Sequence, residues 1–449
     1  MPDADLRHVD LLISGGRVVT ASGVAEADVA ISKGLIVAVG PGLTPHATEV
    51  IDARGLHVFP GGIDTHVHLN EPGRTEWETI ANGSAALAAG GYTAFVDMPL
   101  NSIPVTTTVE AFDLKLEAMQ RSSRVDFGLW GGLIPDNIDR LEGLQRRGAL
   151  GFKAFMCSSG IDEFPACDER ILREGMKRIA ELGSILLVHA EDPVTIALQA
   201  SNVKGTDARA FADSRPSSAE AEAVYRAMTL AHETGCRLHV VHVSTPTAAR
   251  MIEGERRSGY ADVSAETCPH YLIYSRDDLV RLGGVAKSAP PFRLPEERDA
   301  LRKMVYEGDL EMVVSDHSPS TIELKQGPDF FKLWGGLSGC QSTRQLLLGW
   351  FDPALVAAVT STNVARRFQL AGKGDVDEGF DADLWLVDLD YLGMVHRDDL
   401  LYRNPFSVHE GQTIRGRTVR TLVRGRTVFA DGHVIGEPAG RFIHAGARS

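Results

Sequence analysis

Phe59-Pro60-Gly61-Gly62-Ile63-Asp64-Thr65-His66-Val67-His68-Leu69-Asn70 opens on a Pro-Gly-Gly turn and carries two imidazoles two residues apart. In an extended strand, residues i and i+2 share a face. His66 and His68 would therefore point together with Asp64 and Asn70, while Ile63, Thr65 and Val67 face the other way. Such a pair suits a metal ion, although two satisfied polar residues at a strand end have the same spacing. The rest of the chain separates these readings. Lys153, His189, His242 and Asp316 each stand at the downstream end of a separate apolar run.

Those runs belong to a regular series. Short apolar stretches over 62–68, 92–98, 126–133, 150–156, 184–190, 236–243, 260–266 and 311–316 alternate with amphipathic segments such as Asp168 to Leu182. Ser217-Ser218-Ala219-Glu220 reads as a capping box opening one of these helices. Eight strand–helix alternations define an α/β chain folded as a (β/α)8 TIM barrel, whose functional groups gather at the C-terminal strand ends. The texture differs at the two ends of the chain. Asp10–Ser14, Gly16–Thr20, Ala27–Ser32, Leu35–Val39 and Glu49–Ala53 read as short β segments, and the pattern returns in Ala382–Asp388, Thr418–Val423 and Arg426–Phe429. Neither end has enough strands alone, so residues 1–58 and 372–449 are expected to pair as a small β-sandwich around a barrel spanning 59–371.

The 449 residues can bury a large core, and 46 basic against 60 acidic residues leave a net charge of −14 without a basic stripe. That balance disfavours nucleic acid and anionic membrane as partners and leaves a small molecule. Five cysteines, at 157, 167, 236, 268 and 340, are odd in number and lack a C-x-x-C spacing. They fit reduced thiols in the cytoplasm better than a disulfide framework. The start of the chain reads as lacking a secretory leader, and no window reaches transmembrane length.

The strand-end residues carry specific chemistry. Lys153, in Leu150-Gly-Phe-Lys-Ala-Phe-Met156, would be costly to bury as a lone cation. Desolvation depresses its pKa, and the neutral amine could take up CO2 as a carbamate; alternatively, it reaches a substrate carboxylate or a strand-end carbonyl. His189 and His242 end two further runs. His239 has the opposite parity to His242, so only one of them is expected to face the lumen, and Glu191 is a reserve ligand or a partner to His189. Asp316 could bind a cation and exchange a proton with its water, or cap the turn at Ser318-Pro319; His317 has the wrong parity. Four histidines, a lysine and an aspartate can together hold two divalent ions. The nitrogen and oxygen donors favour Zn2+, with Mn2+, Co2+ or Fe2+ as alternatives. Such a pair would acidify a shared water and polarise an amide carbonyl, which is hydrolytic chemistry. Glu266-Thr-Cys-Pro-His-Tyr271 reads as strand-end structure rather than a second metal cluster, and Cys157 has no assigned histidine to activate it as a nucleophile.

The chain resembles the cyclic amidohydrolases, the group of dihydroorotase, dihydropyrimidinase, hydantoinase and allantoinase. The motifs are Pro60–His68, Gly151-Phe-Lys-Ala-Phe155, Val188-His-Ala-Glu191, Ser214-Arg-Pro216, His239–Ser244, Glu266–Tyr271 and Val314-Ser-Asp-His-Ser-Pro319. The resemblance implies His66, His68, Lys153 as a carbamate, His189, His242 and Asp316 as ligands of two metal ions, Asp316 as proton shuttle, and a homotetramer. Dihydroorotases usually carry arginine where this chain has Asn70, so a substrate carboxylate is not expected. Asn70–Trp77, Asp97–Ser102 and Trp334–Ser342 are similar to the allantoinase branch, which implies allantoin as substrate. Asn101, Asn70 and main-chain groups around Ala289 and Ser338 are then expected at the ring pocket, although Asn101 could instead cap the turn after Pro99. A hydantoinase or dihydropyrimidinase is the neighbouring reading, and a non-catalytic scaffold retaining the fold is the one from another class.

Overall fold

A computed structural model describes residues 8–444. Eight parallel strands form the barrel: Gly62–Val67, Tyr92–Asp97, Asp126–Leu129 continued by Gly131–Gly132, Phe152–Phe155, Ile185–His189, Arg237–Val240, Val263–Thr267 and Met312–Val313. The third expected run is divided at Trp130, whose backbone N–H still donates to Asp97 O at 3.1 Å. Closure joins the first strand to the chain just after the last. Val67 bridges His317 in parallel, and His68 N donates to His317 O at 2.7 Å. Ile63, Ala94, Val96, Leu187 and Met312 belong to one apolar cluster filling the lumen below the strand ends, with Phe368 packed against Trp130 at 5.2 Å as part of it.

Three readings of local pattern are corrected. Strict alternation along the first strand fails, because Ile63 sits in the lumenal cluster and the pairing with the second strand slips between Asp64 and Val67. This irregularity adds a residue and brings His66 and His68 to the lumenal side after Ile63. The capping box at Ser217–Glu220 does not form: the helix Ser217–Thr234 begins at Ser217 after Pro216, with no side-chain cap. Glu220 instead accepts from Ser244 N at 2.8 Å and Arg293 Nη2 at 3.2 Å, a stronger demand from a buried cation. The two segments read as Asp10–Ser14 and Gly16–Thr20 form one strand, His8–Thr20, with a bulge where Gly15 takes φ +71°.

The chain ends do pair. One hydrogen-bonded path runs through His433–Val434, Arg426–Ala430, Thr413–Val423, Leu384–Met394, His57–Pro60, His8–Thr20, Gly23–Ser32 and Leu35–Gly40, with His46–Asp52 alongside His8–Thr20. The linking strand is His57–Pro60, parallel to His8–Thr20 and antiparallel to Leu384–Met394. Leu11, Ile13, Val29 and Ile31 from one part and Leu384, Leu386 and Leu422 from the other share one core. The sheet leads directly into the barrel through Gly61, where a Cβ would stand 2.0 Å from Thr93 Oγ1. Among the described residues, no helix is long and apolar enough to cross a membrane.

A buried ionic cluster ties sheet to barrel. Lys373 Nζ lies 2.6 Å from Asp126, 2.8 Å from Asp381 and 2.7 Å from Asp383, and Arg424 also pairs with Asp126. The lysine occupies the centre that three clustered carboxylates would otherwise offer to a cation. Removing one partner from such a cluster leaves uncompensated buried charge, so Lys373→Met is expected to lower unfolding free energy by roughly 3–5 kcal/mol. Denaturant titration checks this; an unchanged midpoint would show that the cluster contributes little.

Candidate active site

The C-terminal strand ends bring five of the six expected ligands against one cavity. Its lining includes His66, His68, His189, His242 and Asp316, together with Asn101, Ala289, Ser288 and Trp334. The first strand supplies His66 and His68, whose Nε2 atoms lie 3.3 and 3.8 Å from Asp316 Oδ1. These three residues form a group whose donor atoms could hold one metal ion. On the other side, His189 Nδ1 lies 3.0 Å from His242 Nε2, and the His189 ring stacks on Phe155 at 4.7 Å.

Lys153 is buried, with its ammonium 5.0 Å from the centre of the Phe155 ring and no hydrogen-bond partner for Nζ. Burial drives its pKa down to about 7, against the pull of Glu266 and Asp316. Burial likewise keeps His68 and His242 well below the ordinary imidazole range and takes His189 to about 4. The rings are therefore neutral at pH 7, with lone pairs to offer. Asp316 moves the other way, its pKa raised because burial opposes the carboxylate.

Parity alone misjudged the strand end that carries His239 and His242. His239 and His242 both reach the interior: His239 contacts Glu266 at 3.1 Å from within the barrel, while His242 follows the strand with φ +39° and turns back toward the site. Asp316 is turned in the same manner, with φ +47°. Positive φ at a non-glycine residue is strained and is held only by surrounding structure.

A layer of carboxylates stands behind the histidines. Glu266, expected only as strand-end structure, accepts from His66 Nδ1 at 2.6 Å and lies 3.1 Å from His239 Nε2. Burial alone would raise its pKa, but the bonds to His239 and His66 hold it down to about 2. This orients the His66 ring so that Nε2 faces Asp316. Glu191 does the same for His189 through a 2.9 Å contact with Nε2, and Arg215 keeps Glu191 charged with a 2.6 Å ion pair. His68 is oriented by Leu100 O, 3.3 Å from Nδ1. A carboxylate two or three residues after a lumenal polar position was the available signal for Glu191, whereas Glu266 is recognised only by its nearness to His66.

The expected pocket residues divide. Asn101 and Ala289 line the cavity, with Asn101 Nδ2 donating to Ser318 Oγ at 3.3 Å. Asn70 and Ser338 are buried outside the lining: Asn70 Nδ2 donates to Pro319 O at 3.2 Å, and Ser338 O accepts from Ser407 Oγ at 2.5 Å. Burial pushes the Cys157 thiol up to about 12, so it is no nucleophile at neutral pH.

A model of the amidohydrolase family matches residues 57–428, and the chain belongs to that family. Among its relatives, an allantoinase from Rubrobacter xylanophilus is 50% identical over 443 residues, covering 97% of each chain. An allantoinase from Solibacter usitatus is 46% identical over 449 residues, covering 98% of each. The solved structure of an L-hydantoinase (dihydropyrimidinase) from Arthrobacter aurescens superposes with a TM-score of 0.94 at 32% identity, covering 97% of this chain and 100% of that one.

All five cysteines are free and buried. Brief iodoacetamide treatment of the native protein at pH 8 should therefore leave activity and mass unchanged, with alkylation appearing only in denaturant. Rapid labelling of Cys157 in the native state, read by mass spectrometry, would contradict this account of the thiol.

Proposed function

We propose that this chain is an allantoinase, hydrolysing the cyclic amide bond of allantoin to give allantoate. The observation that carries this reading is the full-length kinship with allantoinases at 42–50% identity. The cavity agrees with it chemically. Its lining offers the Asn101 amide and main chain near Ala289 to a neutral ring with a ureido arm, and the position suited to a carboxylate-binding arginine holds Asn70. Asn70 and Ser338 act from behind the lining, through Pro319 and Ser407.

The proposed metal centre comprises His66, His68, Lys153, His189, His242 and Asp316 around two divalent ions, Zn2+ in the first instance, with Lys153 as a CO2-derived carbamate. The donor set fits: His242 Nδ1 and Lys153 Nζ are buried without partners, and the His68, His189 and His242 rings are neutral. Bound divalent ions supply Lewis-acid polarisation of the amide carbonyl and a lowered pKa for water. The chain's own groups perform the proton transfer. Asp316, whose burial raises its proton affinity, accepts the proton lost when water adds to the carbonyl carbon and delivers it to the ring nitrogen as the C–N bond breaks. Glu266 and Glu191 hold the His66 and His189 rings in place meanwhile. A homotetramer in the cytoplasm completes the reading, supported by the family resemblance and by five free thiols.

Hydantoinase or dihydropyrimidinase activity is the second reading, favoured by the fold match to the Arthrobacter enzyme. Parallel assays on allantoin, hydantoin, dihydrouracil and dihydroorotate decide between them: allantoin should have the highest kcat/KM, and a preference for hydantoin or dihydrouracil would transfer the assignment. Less than one metal ion per chain after expression with ample CO2, together with no turnover, would instead favour a non-catalytic scaffold.

Lys153→Ala should lose most bound metal and activity, with partial recovery on adding short carboxylic acids; full activity in this variant would remove Lys153 from the centre. Glu266→Gln keeps the size of the side chain but weakens the restraint on His66, so metal affinity or activity should fall roughly 10- to 100-fold. Metal analysis after dialysis against a graded chelator reads the loss, and wild-type retention would reduce Glu266 to packing.

A further inference from the structure

Two buried lysines beside the cavity have no part in this chemistry. Lys325 Nζ donates to the carbonyls of Trp334, at 3.0 Å, and Gly336. Lys287 Nζ donates to the carbonyls of Phe331 and Leu333 at 3.0 and 2.5 Å, and sits 4.7 Å from the centre of the Phe211 ring. The backbone ties the same knot. Gly336 N donates to Lys287 O at 2.9 Å, and Trp334 N donates to Leu324 O at 2.9 Å.

The charge of Lys325 is met by carbonyl oxygens rather than a carboxylate, and burial takes its pKa down to about 7. An ammonium buried in this way is costly unless its protons are met. What it achieves is order in a segment with little order of its own. Residues 330–336 contain one short 3-10 turn, Phe330–Lys332, and then two glycines. Gly336 has φ +154°, and a Cβ there would stand 2.5 Å from Ser318 O.

This segment is one wall of the cavity, supplied by Trp334, Gly335 and Gly336. Ser288 and Ala289, which follow Lys287 directly, also line the cavity. The knot therefore fixes two parts of the lining at once. On its outer side, Trp334 packs on Trp77 with ring centres 4.7 Å apart, and the Arg74 guanidinium lies 4.8 Å from the Trp77 ring centre.

We infer that Lys325 and Lys287 are positioning residues that hold the Phe331–Gly336 wall by its carbonyls and thereby set which ring and side arm the substrate cavity admits. The inference rests on the proposed cyclic-amide site, and its test separates the two. Wild-type turnover on the four cyclic amides tests the activity itself. The wall is tested by variant-to-wild-type ratios on whichever of them the wild type hydrolyses best.

Lys325→Met and Lys287→Met preserve chain length and remove the ammonium. Each should raise KM about tenfold while kcat stays within about threefold, the pattern of lost binding rather than lost chemistry. Bound metal should be unchanged, and the preference between allantoin and hydantoin should narrow. Gly336→Ala displaces the same wall without leaving buried carbonyls unpaired, so it serves if the lysine variants do not fold, and it should raise KM in the same direction. Unchanged KM and substrate preference in the folded lysine variants, or in Gly336→Ala where they do not fold, would overturn the inference. A parallel loss of kcat and metal in the lysine variants would overturn it too, because the lysines would then be serving the metal centre.

Discussion

The hydrogen bond from His68 N to His317 O, 2.7 Å long, closes the barrel between its first strand and the chain leaving its last, and the site depends on that closure. It sets His66 and His68 beside Asp316, residues about 250 positions apart in sequence. Asp64 reinforces the seam by accepting from both His66 N and Ser315 N. A closed parallel barrel leaves no free edge there, and its strand ends converge whatever their order in the chain. The sheet built from both chain ends joins the barrel at the entry to the first strand through His57–Pro60 and the Lys373 cluster, so the seam is supported from below as well.

Burial then decides what each converged group can do. Burial keeps the His68, His189 and His242 imidazoles neutral and brings the lysine toward neutrality near pH 7. Carboxylates behind them stay charged only because each is matched: Glu266 by His66 and His239, Glu191 by Arg215 and His189. Asp316 has weaker compensation and a raised proton affinity, which suits the proton transfer proposed for it. One environment thus divides neutral donors, fixed anions and an exchangeable acid among residues a few ångströms apart.

Much of this was legible beforehand. The eight apolar runs indicated the barrel because each is too short for a helix and is followed by helical periodicity, and His66, His68, Lys153, His189, His242 and Asp316 each stood at a run's end. Face assignments were less secure. A slip in pairing beside Thr65 and positive φ at His242 and Asp316 override the two-residue period that parity reasoning requires. Glu266 and Lys325 were missed for a related reason: neither stands out by spacing, and each acquires its role from a partner distant in sequence or from carbonyl groups that no pattern marks.

The sequence by itself therefore determined the architecture, the family and which donor-bearing residues stand at the strand ends, because hydrophobic periodicity and residue type are local properties written along the chain. Only the tertiary structure decided which groups share a cavity, which carboxylate orients which ring, and which lysines brace its wall. Those outcomes follow from barrel closure and from the desolvation that closure imposes, and both depend on segments far apart in sequence meeting in space.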